Sequence, residues 1–132
     1  MRIWVRTVIQ ALIFVLIPVC ALAGAKSSGE CDQKLGKKIF GKCAACHTFD
    51  NSGSHAAGPN LLGVVGRGIG KIEGFPFSPA LSEQGTHWSE AALDKFLANP
   101  MKNFPGTTMA FAGIRKEHQR QAVICYLKGT SR

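Results

Sequence analysis

Apolar residues are distributed very unevenly along this chain of 132 residues. Residues 7–25 contain no charged side chain, whereas the rest of the chain interleaves short apolar clusters with polar and glycine-rich stretches. In three places after residue 31, apolar side chains recur at the three- and four-residue spacing of an amphipathic helix. No stretch shows the alternation typical of a strand. The pattern predicts an all-α domain preceded by a separate apolar segment.

Each predicted helix has an end that the sequence marks. The first is predicted over Asp32–Lys42, because Asp32 can cap its amino terminus. The second begins after Ser89, another capping residue, and stops at Asn99-Pro100, since the residue before a proline disfavours helix. The third is predicted from about Lys116 to Lys128. These three short helices supply few buried side chains.

Between the first two helices lies a segment that is too rich in glycine for a helix or strand. Residues 53–74 contain seven glycines, which predicts an irregular loop. Loops of this length are uncommon in a small domain unless they have a function. We expect this one to pack against a large, flat cofactor, and we expect the cofactor-free protein to be poorly folded.

The first 25 residues have the layout of a secretory signal peptide. Arg2 and Arg6 precede the apolar run, and small residues follow it, so cleavage is predicted after Ala23 or Ala25. The domain then comprises residues 26–132 and lies in the periplasm, an oxidising compartment. An uncleaved membrane anchor is the alternative, because the run is only slightly shorter than a bilayer span.

Charge and composition narrow the choice of function. The formal net charge is +8, and +6 remains once Arg2 and Arg6 are set aside. The length excludes a multi-domain enzyme, and the apolar content excludes a wholly disordered chain. A basic domain can bind nucleic acid, membrane or an acidic protein. Export and the lack of interleaved aromatic and basic residues argue against nucleic acid.

The cysteines give the strongest chemical signal. Cys43-Ala44-Ala45-Cys46-His47 is the C-x-x-C-H motif that attaches a c-type haem through two thioethers, with His47 as the proximal iron ligand. A zinc site would need a second pair of ligands, and a thioredoxin-like site would need a βαβ context. A simple disulfide would leave His47 unexplained. Cys31 and Cys125 can form a disulfide or remain two thiols, and the sequence does not decide between them.

The second iron ligand separates an electron carrier from an enzyme with an open haem face. The candidates are Met101, Met109, His55, His87 and His118. We favour Met109, because the preceding Pro105-Gly106 turn can direct one thioether inward. Thioether ligation raises the reduction potential.

With these motifs the chain resembles the class I c-type cytochromes of the bacterial c2/c550 and mitochondrial type. The resemblance covers nearly all of residues 32–128. The matching positions are Gly36, Phe40, the motif at residues 43–47, Gly58-Pro59-Asn60-Leu61, Gly66-Arg67, Trp88, Asn99-Pro100, residues 105–109 and Tyr126-Leu127. It implies three main helices, short helical turns and long loops wrapped around one covalently bound haem.

The resemblance also implies roles for individual residues. The carbonyl of Pro59 would accept a hydrogen bond from His47 and so fix its tautomer. Arg67 and Trp88 would reach one haem propionate, and Thr107 would bond near the other. The first and last helices would meet at Gly36, Phe40 and Tyr126. These three residues would serve folding more than redox chemistry.

The function implied is one-electron transfer by a monomeric, non-enzymatic protein. Its partners would be redox proteins: a periplasmic dehydrogenase or bc1-type donor, and an oxidase or reaction-centre acceptor. The basic residues expected around the haem edge are Lys42, Lys102, Arg115 and Lys116. The alternatives are a membrane-tethered cytochrome c and a small haem peroxidase or gas-binding protein whose sixth site is open.

Overall fold

A computed structural model describes residues 31–129 of the chain. It contains five helices: α1 (Gln33–Phe40), α2 (Pro79–Ser82), α3 (Glu90–Ala98), α4 (Pro100–Asn103) and α5 (Glu117–Gly129). Within these residues the only β-type pairing is an isolated bridge between Gly68 and His87. The prediction of an all-α fold is therefore confirmed. The predicted signal peptide lies outside the described residues.

The ends of the two capped helices follow from local hydrogen bonds. The Asp32 carboxylate accepts from the Leu35 N–H at 2.8 Å, and the Ser89 hydroxyl accepts from the Ala92 N–H at 3.1 Å. Both bonds satisfy amide groups that the first turn of a helix leaves unpaired. The three predicted helices are thus present, with ends shifted by no more than two residues.

The sequence predicts that helical structure stops at Asn99-Pro100, but in the structure a one-turn helix follows directly. Asn99 ends α3, and its side chain then accepts from the Lys102 N–H at 3.0 Å, which caps the one-turn helix α4. Pro100 occupies the first position of α4, where its missing N–H has no helical partner to lose. Residue 99 therefore redirects the chain between two helices.

Helices α1 and α5 pack at very close range, as the family resemblance implied. A Cβ atom on Gly36 would lie 2.6 Å from the Cβ of Tyr126 and would overlap the carbonyl of Ala122. The rings of Phe40 and Phe49 surround Tyr126, with centroid distances of 5.4 and 5.6 Å. Only glycine at position 36 allows the two backbones to approach this far.

A disulfide joins Cys31, just before α1, to Cys125 in α5. The two Cα atoms lie 5.8 Å apart, although 94 positions separate the residues in sequence. The structure thus decides between the two states that the sequence left open. A covalent loop of this length restricts the unfolded chain, which stabilises a fold by about 4 kcal/mol. It reinforces the contact between α1 and α5.

The connection between α1 and α2, residues 41–78, is irregular and includes the loop predicted over residues 53–74. Several of its glycines have positive φ, and at Gly70 (φ 66°) any Cβ would also overlap the backbone of Leu81. The loops and helices together leave a cavity of about 320 Å³ inside the domain. Within residues 31–129, no helix is both long and apolar enough to cross a membrane.

Gly36→Ala is expected to lower the free energy of unfolding of the holoprotein by about 2 kcal/mol, because the new methyl group collides with backbone atoms of α5. Gly85→Ala is the matched control, since a Cβ there meets no atom within 4 Å. The control is expected to unfold like the wild type or slightly later. Equal guanidinium midpoints for the two variants would contradict the close contact.

Candidate cofactor site

The internal cavity is bounded mainly by apolar side chains from the first turn after α1, the glycine-rich loop, α3, α5 and the segment that follows α4. Every site residue predicted from the sequence contributes to its wall: Cys43, Cys46, His47, Pro59, Arg67, Trp88, Thr107 and Met109. Residues that are up to 66 positions apart in sequence therefore face a single space.

Cys43, Cys46 and His47 lie in a tight turn directly after α1. The Cys46 and His47 N–H groups both bond to the Cys43 carbonyl, at 3.0 and 2.9 Å. Neither motif cysteine is in a disulfide; Cys43 is half-buried and Cys46 is exposed. Burial raises the pKa of the Cys43 thiol, and the nearby charge of Lys42 opposes this shift. Both sulfurs are free for thioether attachment.

The orientation of His47 is fixed by its neighbours. Its Nδ1 lies 2.7 Å from the carbonyl oxygen of Pro59, and because a carbonyl can only accept, Nδ1 carries the proton. Burial lowers the pKa of His47, and the bond to Pro59 partly opposes that shift. The imidazole is therefore neutral near pH 7 and keeps its Nε2 lone pair for a metal. A Cβ on Gly58 would lie 2.7 Å from Nδ1 of His47, so residue 58 must be glycine for the imidazole to occupy this position.

Arg67 brings a positive charge to the cavity wall. Its guanidinium donates to the carbonyl oxygens of Asn60 at 2.9 Å and Leu62 at 3.3 Å. The Asn60 side chain in turn accepts from the Leu62 N–H at 2.7 Å, so the loop is braced around the arginine. Partial burial lowers the pKa of Arg67, because the charged form loses solvent. An anionic group in the cavity would compensate that loss.

Trp88 is buried beside the loop segment that carries Arg67. Its backbone N–H donates to the Arg67 carbonyl at 2.8 Å, and its backbone carbonyl accepts from the Gly66 N–H at 2.9 Å. The indole packs on Phe96 and Phe104, with centroid distances of 4.9 and 5.8 Å. The backbone bonds and ring contacts place Trp88 next to Arg67 on the cavity wall.

Ser78 is a polar cavity residue that the sequence analysis missed. It stands at the N-cap position of α2, but its hydroxyl makes no capping bond. The hydroxyl is buried and has no hydrogen-bond partner in the described structure, and the residue lines the cavity. A serine before a proline looks like an ordinary helix cap in sequence. Only the lack of a partner for its buried hydroxyl in the described structure indicates that this hydroxyl can donate a hydrogen bond to a bound group.

Met109 reaches the cavity from a turn, whereas Met101 does not. Gly106 has a φ of 90°, and the Thr107 N–H bonds to the Phe104 carbonyl at 3.0 Å. The Met109 N–H donates a hydrogen bond to the buried Thr107 hydroxyl, with 3.4 Å between the nitrogen and oxygen atoms. Met109 is half-buried, but Met101 is 54% exposed.

None of the other candidate ligands within residues 31–129 lines the cavity; these are Met101, His55, His87 and His118. His55 is instead held between two loops, because its ring nitrogens bond to the Glu73 carbonyl at 2.8 Å and the Asn60 N–H at 3.1 Å. His47 and Met109 are therefore the histidine and the methionine that the described cavity offers to a metal.

The residues present fit a porphyrin well. The walls are mostly apolar, two free thiols stand at the rim, and a neutral imidazole and a thioether are available as iron ligands. Arg67, the Trp88 indole and the unpaired Ser78 hydroxyl are suited to carboxylates such as haem propionates. The cavity thus provides separate groups for the ring, the metal and the acidic substituents.

Comparison with known proteins agrees with this site. The family model described as cytochrome c matches residues 33–131. Cytochrome c of Guizotia abyssinica is 42% identical over 101 residues, which are 76% of this chain and 91% of that protein. A cytochrome c homolog of Bradyrhizobium diazoefficiens is 51% identical over 92 residues, covering 68% of this chain but 50% of the relative.

Among solved structures, cytochrome cH from Methylobacterium extorquens aligns with a TM-score of 0.69 and 41% sequence identity. The match covers 74% of this chain and 98% of that one. Fold, motif and relatives agree with the class I resemblance found in the sequence. The chain belongs to the cytochrome c family, whose members carry covalently attached haem c and serve as electron carriers.

Proposed function

We propose that this protein is a one-electron carrier in which Cys43 and Cys46 hold a single haem c, and His47 and Met109 ligate its iron. The proposal is supported chiefly by the placement of all four side chains on one cavity. The bound haem supplies an iron that alternates between the ferric and ferrous states.

The protein side chains then perform three tasks. Pro59 keeps the His47 proton on Nδ1, so that the Nε2 lone pair would be available to hold the iron. Met109 supplies a soft thioether that favours the ferrous state. If His47 and Met109 both held the iron, the protein would leave it no coordination site for a substrate. On this account the protein is not an enzyme.

Charge supports docking to acidic redox partners. Lys42 lines the cavity beside the exposed Cys46, and Lys102, Arg115 and Lys116 are exposed near the segment that bears Met109. Cationic side chains at such an edge accelerate encounter with an acidic partner, and salt weakens this effect. We propose a dehydrogenase or bc1-type donor and an oxidase or reaction-centre acceptor, with the carrier acting as a soluble monomer.

The proposed location is the periplasm, reached through a signal peptide at residues 1–25. The apolar run, the two preceding arginines and the small residues up to Ala25 support this proposal. N-terminal sequencing of the mature protein distinguishes cleavage after Ala23 or Ala25 from a retained anchor. The disulfide between Cys31 and Cys125 suits an oxidising compartment.

Met109→Ala is expected to abolish the weak red sulfur-to-iron absorption band of the ferric holoprotein. It is also expected to open the iron to cyanide, because alanine has no ligand atom. Met101→Ala is the matched control, since Met101 is exposed and lies away from the cavity. Absorption spectra of the three ferric proteins, with and without cyanide, measure both effects.

Two results would contradict the proposed ligation. The first is a wild-type ferric protein that lacks the band and binds cyanide or peroxide readily, which would favour the peroxidase or gas-binding alternative. The second is a Met101→Ala variant that loses the band while Met109→Ala keeps it.

Ser78→Ala is expected to move the pH-dependent part of the reduction potential to higher pH. A hydrogen bond to a carboxylate stabilises its charged form and lowers its pKa, so a propionate that loses the Ser78 hydroxyl has a raised pKa. Potentiometric titration from pH 5 to 9 measures the shift. Ser78→Thr keeps the hydroxyl and is expected to retain the wild-type profile. Identical profiles for wild type and Ser78→Ala would show that the hydroxyl does not serve the propionate.

A further inference from the structure

The segment that bears Met109 connects α4 to α5 and is here called the Met109 loop (residues 104–116). Its inner backbone bonds are local: Thr107 N–H to the Phe104 carbonyl at 3.0 Å, and Phe111 N–H to the Met109 carbonyl at 2.9 Å. Such bonds shape the loop but do not fasten it to the domain. Its position depends on how its two ends are held.

The amino-terminal end of the Met109 loop is held by α3 through α4. The Asn103 side chain donates to the Lys95 carbonyl at 2.5 Å, and Asn99 links the two helices directly. At the other end, the buried Ile114 donates its N–H to the Leu97 carbonyl at 2.7 Å. Both ends of the loop therefore rest on α3.

Arg120 of α5 binds α3 and the end of the Met109 loop at the same time. Its Nε and one Nη form a forked pair with the two carboxylate oxygens of Asp94 in α3, at 2.7 and 3.2 Å. The other Nη donates to the carbonyls of Ile114 and Arg115, at 2.9 and 3.0 Å. The Arg120 side chain is 12% exposed and the Asp94 side chain 35% exposed, so this pair is partly shielded from solvent.

We propose that Arg120 is a positioning residue for Met109, acting through the end of the Met109 loop. This inference rests on the proposed ligation of iron by Met109. Its guanidinium makes one planar junction among α3, α5 and the loop, and lysine cannot reproduce the fork. Asp94 orients that guanidinium. When the junction opens, the loop loses a fixed end and Met109 leaves the metal more often.

A second ion pair between the same helices provides a matched control. Lys128 of α5 pairs with Glu90 of α3 at 2.5 Å, and these side chains are 60% and 56% exposed. None of the hydrogen bonds described for this pair reaches the Met109 loop. Removing it perturbs the α3 to α5 contact without touching the proposed junction.

The test uses ferric holoprotein and cyanide, which can bind iron only after Met109 has left. At saturating cyanide the rate of the Soret change reports the opening of the Met109 loop. Arg120→Lys and Asp94→Asn are compared with wild type and with Lys128→Gln. Arg120→Lys retains the charge, and Asp94→Asn retains the arginine and its carbonyl bonds, so at least one of these variants tests the junction if the other folds poorly.

Loss of a partly buried, charge-assisted hydrogen bond is expected to accelerate cyanide binding about tenfold in both junction variants. Lys128→Gln is expected to stay within about twofold of wild type, since exposed ion pairs contribute little. The Ile114 amide is expected to exchange with solvent deuterium about tenfold faster in the junction variants, while amides in the middle of α5 change much less. This pattern identifies local opening of the loop.

Two results would overturn the inference alone. One is cyanide binding that is no faster in the junction variants than in Lys128→Gln. The other is acceleration that matches the change in global unfolding in guanidinium, with equal changes in exchange at Ile114 and throughout α5. A wild-type protein without the red absorption band would instead overturn the Met109 ligation itself, and the inference with it.

Discussion

The fold depends on enclosing a large apolar group with a chain whose helices are short. Helices α1, α3 and α5 are 8, 9 and 13 residues long, and together with the loops they leave a cavity lined mainly by apolar side chains. A flat ring can be surrounded only if loops pass around its edge. The long irregular connection and its positive-φ glycines follow from that requirement.

Burial has a free-energy cost for the polar groups on the cavity wall, because they lose hydrogen bonds to water. The imidazole of His47 responds by remaining neutral, as its lowered pKa shows, and this is the state in which it can bind a metal. Arg67 donates to two loop carbonyls, and the Ser78 hydroxyl has no hydrogen-bond partner among residues 31–129. Each of these costs is reduced when a group with a metal and carboxylates occupies the cavity.

The sequence predicted those features that depend on neighbouring residues. Asp32 and Ser89 cap the helices that they precede, and the C-x-x-C-H motif places two thiols and an imidazole in one turn. Local sequence patterns could not predict features that arise when distant segments of the chain meet. The partner of Cys31 lies 94 positions away, and Ser78 has the same sequence context as a capping serine. The family resemblance supplied Pro59, Arg67, Trp88 and Thr107, whose roles no local pattern shows.

Two contacts of α5, one with α1 and one with the end of the Met109 loop, differ in how easily they can open. Its contact with α1 is close-packed at Gly36 and covalently closed by the disulfide, so it can separate only when the domain unfolds. Its side-chain contact with the end of the Met109 loop is made by the Arg120 guanidinium, which donates to two loop carbonyls and pairs with the Asp94 carboxylate of α3. Such bonds break and reform without disturbing a packed core. If Met109 ligates the iron as proposed, α5 combines a close-packed attachment for the fold with a more easily broken one for the segment that bears the ligand, and Met109 would leave and rejoin the metal while the domain stays folded.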